Sequence, residues 1–136
     1  TAKPILIIDG QGGGMGRTLI TQLRAAGCTR EILAVGANAA ATAAMRKAGA
    51  NAGATGENAV LVNAPRAAVI AGPLGIVLAD SLLGECTAAM AAAVARSPAH
   101  QVLVPVSRCG VSGAGVEEKP LADYIADAVQ RILALA

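Results

Sequence analysis

The stretch "ILIIDGQGGGMGRTLITQLRAAG" (residues 5–27) decides how the chain is read. Ile5 to Ile8 is a continuous run of Leu and β-branched residues, as expected of a strand covered on both faces. The run stops at Asp9, and five of the next seven positions are glycine: Gly10, Gly12, Gly13, Gly14 and Gly16. A helical pattern follows to Ala26, with Leu19, Ile20 and Leu23 on one side, Arg17, Thr21 and Arg24 toward the other, and Gly27 as a natural stop. Each glycine has an entropic cost on folding, so this junction reads as a place that needs bare backbone. A helix that opens directly after a strand offers unpaired amides and the positive end of its dipole, and glycines let an anion approach them. A tight turn and close helix–sheet packing would account for one or two of the five glycines. Phosphate contact is the reading for the rest, with Asp9 and Met15 inside the same loop. Asp9 is expected to accept the loop's N–H groups, or to position a ligand hydroxyl.

Working outward, strands alternate with helices. Glu31 to Val35 reads as a second strand, and Asn38 caps a helix that runs to about Ala48 and ends at Gly49. Ala67 to Ala71 reads as a strand, Leu74 to Leu83 as a helix broken at Gly84, and Thr87 to Arg96 as a capped helix. Gln101 to Val106 is the last strand, and Lys119-Pro120 opens a final helix striped by Leu121, Ile125, Ala128, Val129, Ile132 and Leu133. The segment "ANAGATGENAVLVNAPR" (50–66) leaves two readings. Either 51–54 is a short strand and Thr55 caps a helix over 56–63, or 59–63 and 67–71 form an antiparallel hairpin. A parallel strand at 59–63 is excluded, because too few residues remain for a crossover. The alternation predicts one Rossmann-like α/β domain over residues 1–136, with a doubly wound, mainly parallel sheet. Ligands in such sheets sit at the carboxyl ends of the strands.

Composition narrows the function. The chain has 136 residues, 54% of them hydrophobic and 15% charged, with a net charge of +2, no Trp, no Phe and one Tyr. Such a chain has neither the basic face nor the stacking aromatics of a nucleic-acid binder. The most apolar region, 67–83, is interrupted by Gly72, Pro73, Gly75 and Asp80, so no membrane span is expected. Three cysteines at 28, 86 and 109 suggest neither a disulfide framework nor a zinc site. The expectation is a soluble, cytoplasmic, homo-oligomeric protein with no metal.

The loop spacing, Gly10-x-x-x-Gly14-x-Gly16, resembles the phosphate loop of the short-chain dehydrogenases, with Asp9 where those enzymes usually have Thr. That resemblance implies NAD or NADP. It does not extend further: those enzymes need a Tyr with a Lys four residues on, and Tyr124 is followed at 128 by Ala. No acid for a ribose hydroxyl, and no base for a 2′-phosphate, follows the second strand; the residues there are Gly36, Ala37 and Asn38. Taken in order, "IIDGQGGGMG", "AVGANAAATAAMRKAGAN", "GATGENAVLVNAP", "GPLGIVLADSLLGE" and "VPVSRCG" resemble a family of short bacterial proteins, common in anaerobes, that is catalogued as a domain of unknown function. This resemblance implies a Rossmann-like fold and no particular activity.

The functional expectation is therefore binding of a nucleotide or dinucleotide. Gly10, Gly12, Gly13, Gly14 and Gly16 would hold phosphate. Asn38, Thr55, Glu57 and the Gly72–Gly75 turn would line the rest of the site. Two alternatives are an anion-sensing module and a small-molecule enzyme using Cys109 or Glu57, with Arg108 beside Cys109 as an anion partner or activator. His100 lies at the opposite end of the last strand from Cys109, which disfavours a catalytic pair.

Overall fold

The pattern of buried residues in each strand sets the layers of the molecule. We describe it from a computed structural model that covers residues 2–105 and 110–136. Five strands, β1 (Ile5–Asp9), β2 (Ile32–Gly36), β3 (Ala52–Thr55), β4 (Val69–Pro73) and β5 (His100–Val104), pair in parallel in the order β3-β2-β1-β4-β5. Ile5 of the central strand lies opposite Ile32 on one side and Val69 on the other.

Side chains alternate between the two faces of a strand. Ile5 and Ile7 therefore pack with Leu19, Ile20 and Leu23 of helix α1 (Gly14–Ala25), Met45 of α2 (Ala39–Ala48) and Ile125, Val129 and Ile132 of α5 (Leu121–Leu135). Leu6 and Ile8 pack on the opposite face with Val60 of α3 (Glu57–Asn63) and with Met90 and Val94 of α4 (Ala88–Arg96). This is the doubly wound, Rossmann-like architecture that the alternation predicts. The same alternation puts Asp9 on the α1 face, directly under the start of that helix.

Residues 51–63 adopt the strand-then-helix alternative. The cap of α3 is Gly56 at φ 99° rather than Thr55, whose hydroxyl instead meets Thr42 Oγ1 at 2.7 Å. Asn38 and Thr87 cap α2 and α4 through their side chains, accepting from Ala41 N and Met90 N. The helix expected over 74–83 does not form. A 3-10 turn at Leu74–Val77 gives way to an irregular loop with a second turn at Leu82–Gly84. Asp80, at φ 66°, lies in that loop rather than mid-helix, and the Ser81 hydroxyl donates to the Gly75 carbonyl.

At the amino end of the sheet, Arg24 closes several loops at once. Its Nη1 donates to the carbonyls of Cys28 (3.0 Å) and Arg30 (2.8 Å), and its Nε to that of Gly49 (3.1 Å). Nη2 donates at 2.7 Å to Asn51 Oδ1, which also accepts from Ile32 N at 2.8 Å. Read from the sequence as an outer-face residue, Arg24 ties α1 to the starts of β2 and β3. We expect Arg24→Met, which keeps the aliphatic stem, to destabilise the fold by about 2–3 kcal/mol in urea titration, since a charged donor in a partly buried site contributes more than a neutral one.

Candidate functional site

Strand order reverses between β1 and β4, and a cleft of about 690 Å³ opens at the carboxyl ends of these two strands. The glycine loop from Asp9 to Met15 forms one wall. Pro73, Gly75 and the turn Ser81–Leu83 form the other, and Leu121 of α5 adds an apolar edge. A separate depression of about 810 Å³ runs along β5 and α5, away from the glycine loop. It lies beside the exposed Asp127–Arg131 ion pair; His100 and Tyr124 line it, but none of the residues expected to hold the ligand does.

Asp9 is 5% exposed and organises the loop. Its Oδ1 accepts from Gly10 N and its Oδ2 from Gly16 N, both at 2.8 Å. Burial raises its pKa above the ordinary carboxylate value and the nearby Glu85 charge adds to the rise, while the amides of Gly16, Gly10 and Met15 oppose it. Glu85 is the second carboxylate. Its Oε1 accepts from Gln11 N at 2.5 Å and its Oε2 from Asn38 Nδ2 at 2.6 Å. Asn38 Nδ2 also donates to Gln11 O at 2.8 Å, so the side chain expected to meet a ribose is shared among the α2 cap, Gln11 and Glu85.

The five glycines separate into two groups. At Gly10 a Cβ would lie 2.8 Å from Glu85 Oε1 and 3.0 Å from Leu82 Cδ1. Gly13 sits at φ 72°, where a Cβ would be 2.8 Å from the Ala41 Cα. At Gly16 a Cβ would run into the Met45 sulfur and lie 3.1 Å from Asp9 Cβ. Packing thus calls for glycine at Gly13 and Gly16, the one or two that the sequence reading allowed, while at Gly10 the close neighbours are the movable ends of the Glu85 and Leu82 side chains. Gly12 and Gly14 are different: a Cβ at either would meet nothing within 4 Å. Neither has a positive φ, and both are exposed. The Gly13 amide is taken by the Gly10 carbonyl at 2.9 Å, but among the described residues the Gly12 and Gly14 amides have no protein acceptor.

The remaining expected residues are dispersed. Thr55 is bonded to Thr42, and Glu57 Oε1 accepts from Thr87 Oγ1 at 2.6 Å; neither lines the cleft. Gly72 lets β4 lie against β1, since a Cβ there would strike the Ile8 carbonyl oxygen. Gly75 does line the cleft, with Ser81 packed 3.0 Å from where its Cβ would be. Arg108 and Cys109 lie outside the described residues. Pro73, inside the expected Gly72–Gly75 turn, does line the cleft, whereas sequence reasoning missed Leu82, Leu83, Glu85 and Leu121. Glu85 is 74 positions from its partner Gln11, and no local pattern marks such a pair. Among the described residues no Lys or Arg lines the cleft, and no group of acids, Cys and His could hold a metal. No described helix is long and apolar enough to cross a membrane.

A doubly wound sheet with a glycine-rich cleft at its switch point defines a class of α/β proteins. The chain belongs to the family described as "Domain of unknown function (DUF3842)", whose model matches residues 4–136. No curated protein matches it. Among solved structures it is similar to a dodecameric, FMN-dependent UbiX-like decarboxylase from Escherichia coli O157:H7, at 20% identity and a TM-score of 0.51, over 96% of this chain and 93% of that one. The likeness is one of fold. It corrects the expectation drawn from the short-chain dehydrogenases: the similar structure is FMN-dependent, and NAD or NADP is not carried forward.

The raised pKa of Asp9 gives a pH signature. Between the ordinary carboxylate value of 3.8 and the raised native value, the folded protein keeps a proton that the unfolded chain has released. The contribution of this group to stability therefore grows as pH falls through the native pKa, and is complete at the unfolded one. Urea titrations of wild type and Asp9→Asn across that window are expected to differ in slope with this sign. Parallel curves would remove the assignment.

Proposed function

We propose that the cleft binds a small molecule carrying one phosphate or a similarly compact anionic group. The free amides of Gly12 and Gly14 hold the anion, and the apolar body of the ligand lies against Met15, Pro73, Leu82, Leu83 and Leu121. The observation that carries this reading is that two glycines of the cleft wall sit where nothing in the fold needs glycine, at the start of a helix, with open space where a Cβ would stand and no protein acceptor for their amides.

Charge narrows the ligand. Two carboxylates flank the loop, and no described basic side chain lines the cleft to offset them. A diphosphate or triphosphate would bring more negative charge against Asp9 and Glu85 than two amides balance. A monophosphate with a flat apolar body fits better, and flavin mononucleotide, the cofactor in the name of the similar decarboxylase, is such a molecule. The apolar wall distinguishes this reading from an inorganic-anion sensor, which has no use for it. We also infer self-association, supported by the exposed Leu61 and Val62 of α3. Light scattering reads this directly, and a monomer at micromolar concentration counts against it.

FMN, riboflavin and inorganic phosphate, titrated separately and followed by flavin fluorescence and thermal shift, test the site. FMN is expected to bind at least about tenfold more tightly than riboflavin, roughly 1.4 kcal/mol for the phosphate contact. Gly14→Val is expected to abolish binding while leaving the unfolding free energy from urea titration within about 0.5 kcal/mol of wild type, as for an open surface position. Gly13→Ala should destabilise the fold outright. A wild-type protein indifferent to FMN, or a Gly14→Val variant that binds it normally, would sink the proposal.

A further inference from the structure

The loop across the cleft from the glycines has firm feet and a strained tip. Asp80 N donates to Cys86 O at 2.7 Å, and Cys86 N to Ser81 O at 3.2 Å, closing the base. Cys86 is 1% exposed and packs in the core beside Ile76 and Met90, so the second foot cannot shift freely. Between the feet, Leu82 and Leu83 both have φ 56° and Gly84 has φ 89°. Two consecutive leucines in the left-handed region are costly, and such outliers persist where function uses them. Leu83 is also 95% exposed, although it stands at the mouth of the cleft. Glu85 follows immediately and reaches across to the Gln11 amide and the Asn38 side chain.

We propose that residues 81–85 form a lid over the cleft, with Leu82 and Leu83 closing on the apolar part of a ligand and Glu85 latching the lid to the glycine loop. The fold itself gains nothing from an apolar side chain held in a strained conformation and left in water. A bound apolar ring under Leu83 would bury that side chain and give the conformation a use. Glu85 couples the two walls of the cleft. Its carboxylate joins the lid to the one residue of the glycine loop, Gln11, that is itself left-handed without being glycine. Gly84 provides the pivot between the leucines and the latch. What the lid closes over rests on the ligand reading given above, but its motion can be measured without any ligand.

The experiment combines amide hydrogen exchange with FMN dissociation kinetics. In the unliganded wild type, the amides of residues 82–85 and of Gln11 are expected to exchange together, at least about a hundredfold faster than those of β1 and β4. Glu85→Ala should speed both sets a further fivefold or more and leave the strands unchanged. Asn tolerates the left-handed region, so Leu83→Asn should keep the melting temperature equal to or above wild type while speeding FMN release at least tenfold. A purely structural Leu83 would not give that combination. The lid is overturned if residues 82–85 are as protected as the strands, if Glu85→Ala leaves the Gln11 amide unaffected, or if Leu83→Asn releases FMN at the wild-type rate. Should wild type fail to bind FMN at all, the ligand reading falls, and the exchange results alone uphold or overturn the lid.

Discussion

One buried carboxylate sets the geometry on which the rest depends. Asp9 ends the central strand and spends both oxygens on amides of the chain that follows, Gly10 on one side and Gly16 on the other. The strand must therefore turn tightly, and α1 must begin with its first amides over the sheet. A shorter or uncharged side chain could not span those two donors. Burying an acid is costly, and the upward displacement of its pKa shows that the amides offset only part of that cost. The fold accepts this because the alternative is a pair of buried amides with no acceptor.

That arrangement also explains why glycine is so dense here. Once Asp9 occupies the space beneath the helix, Gly16 must be bare to clear Met45 and the Asp9 Cβ, and Gly13 must be bare to pass Ala41. At Gly10 the Glu85 carboxylate comes down beside the bare backbone. The protein thus fills much of the loop with its own carboxylates, and the outer amides at Gly12 and Gly14, on the wall of the cleft, are left without a protein acceptor. The proposed anion site is the remainder left after this internal satisfaction, which is why it is narrower than the five glycines suggest.

The parts of this that were legible in the sequence are those written in local patterns. The run at Ile5–Ile8, the caps Asn38 and Thr87 and the stripe from Ile125 to Ile132 on the last helix depend on near neighbours, and the structure has them where periodicity puts them, though Leu121, expected in that stripe, is exposed. The crossover-length argument removed a parallel strand at 59–63, and α3 is what stands there. Other features depend on distant residues. Leu74–Leu83 has helical composition, but Ser81 bonds back to the Gly75 carbonyl and the chain breaks into turns. Asn38, Thr55 and Glu57 are the polar types that a ribose would need, yet each finds a protein partner that spacing along the chain does not reveal. Glu85 carried no signal, because its meaning lies entirely in the distant loop it touches.

If the cleft binds an anion as proposed, the two acids would make it selective in a way that glycine loops alone are not. A helix start with free amides attracts any anion, and the attraction grows with the anion's charge. Here each added phosphate would also meet the field of Asp9 and Glu85 in a partly desolvated site, where opposing charges are screened less than in bulk water. The attraction of two amides is short-ranged and limited, whereas the repulsion from two carboxylates extends across the cleft. On the proposed reading, affinity would therefore pass through an optimum at low ligand charge. Beyond that optimum, further binding energy would have to come from the apolar wall that Met15, Pro73 and the leucines provide.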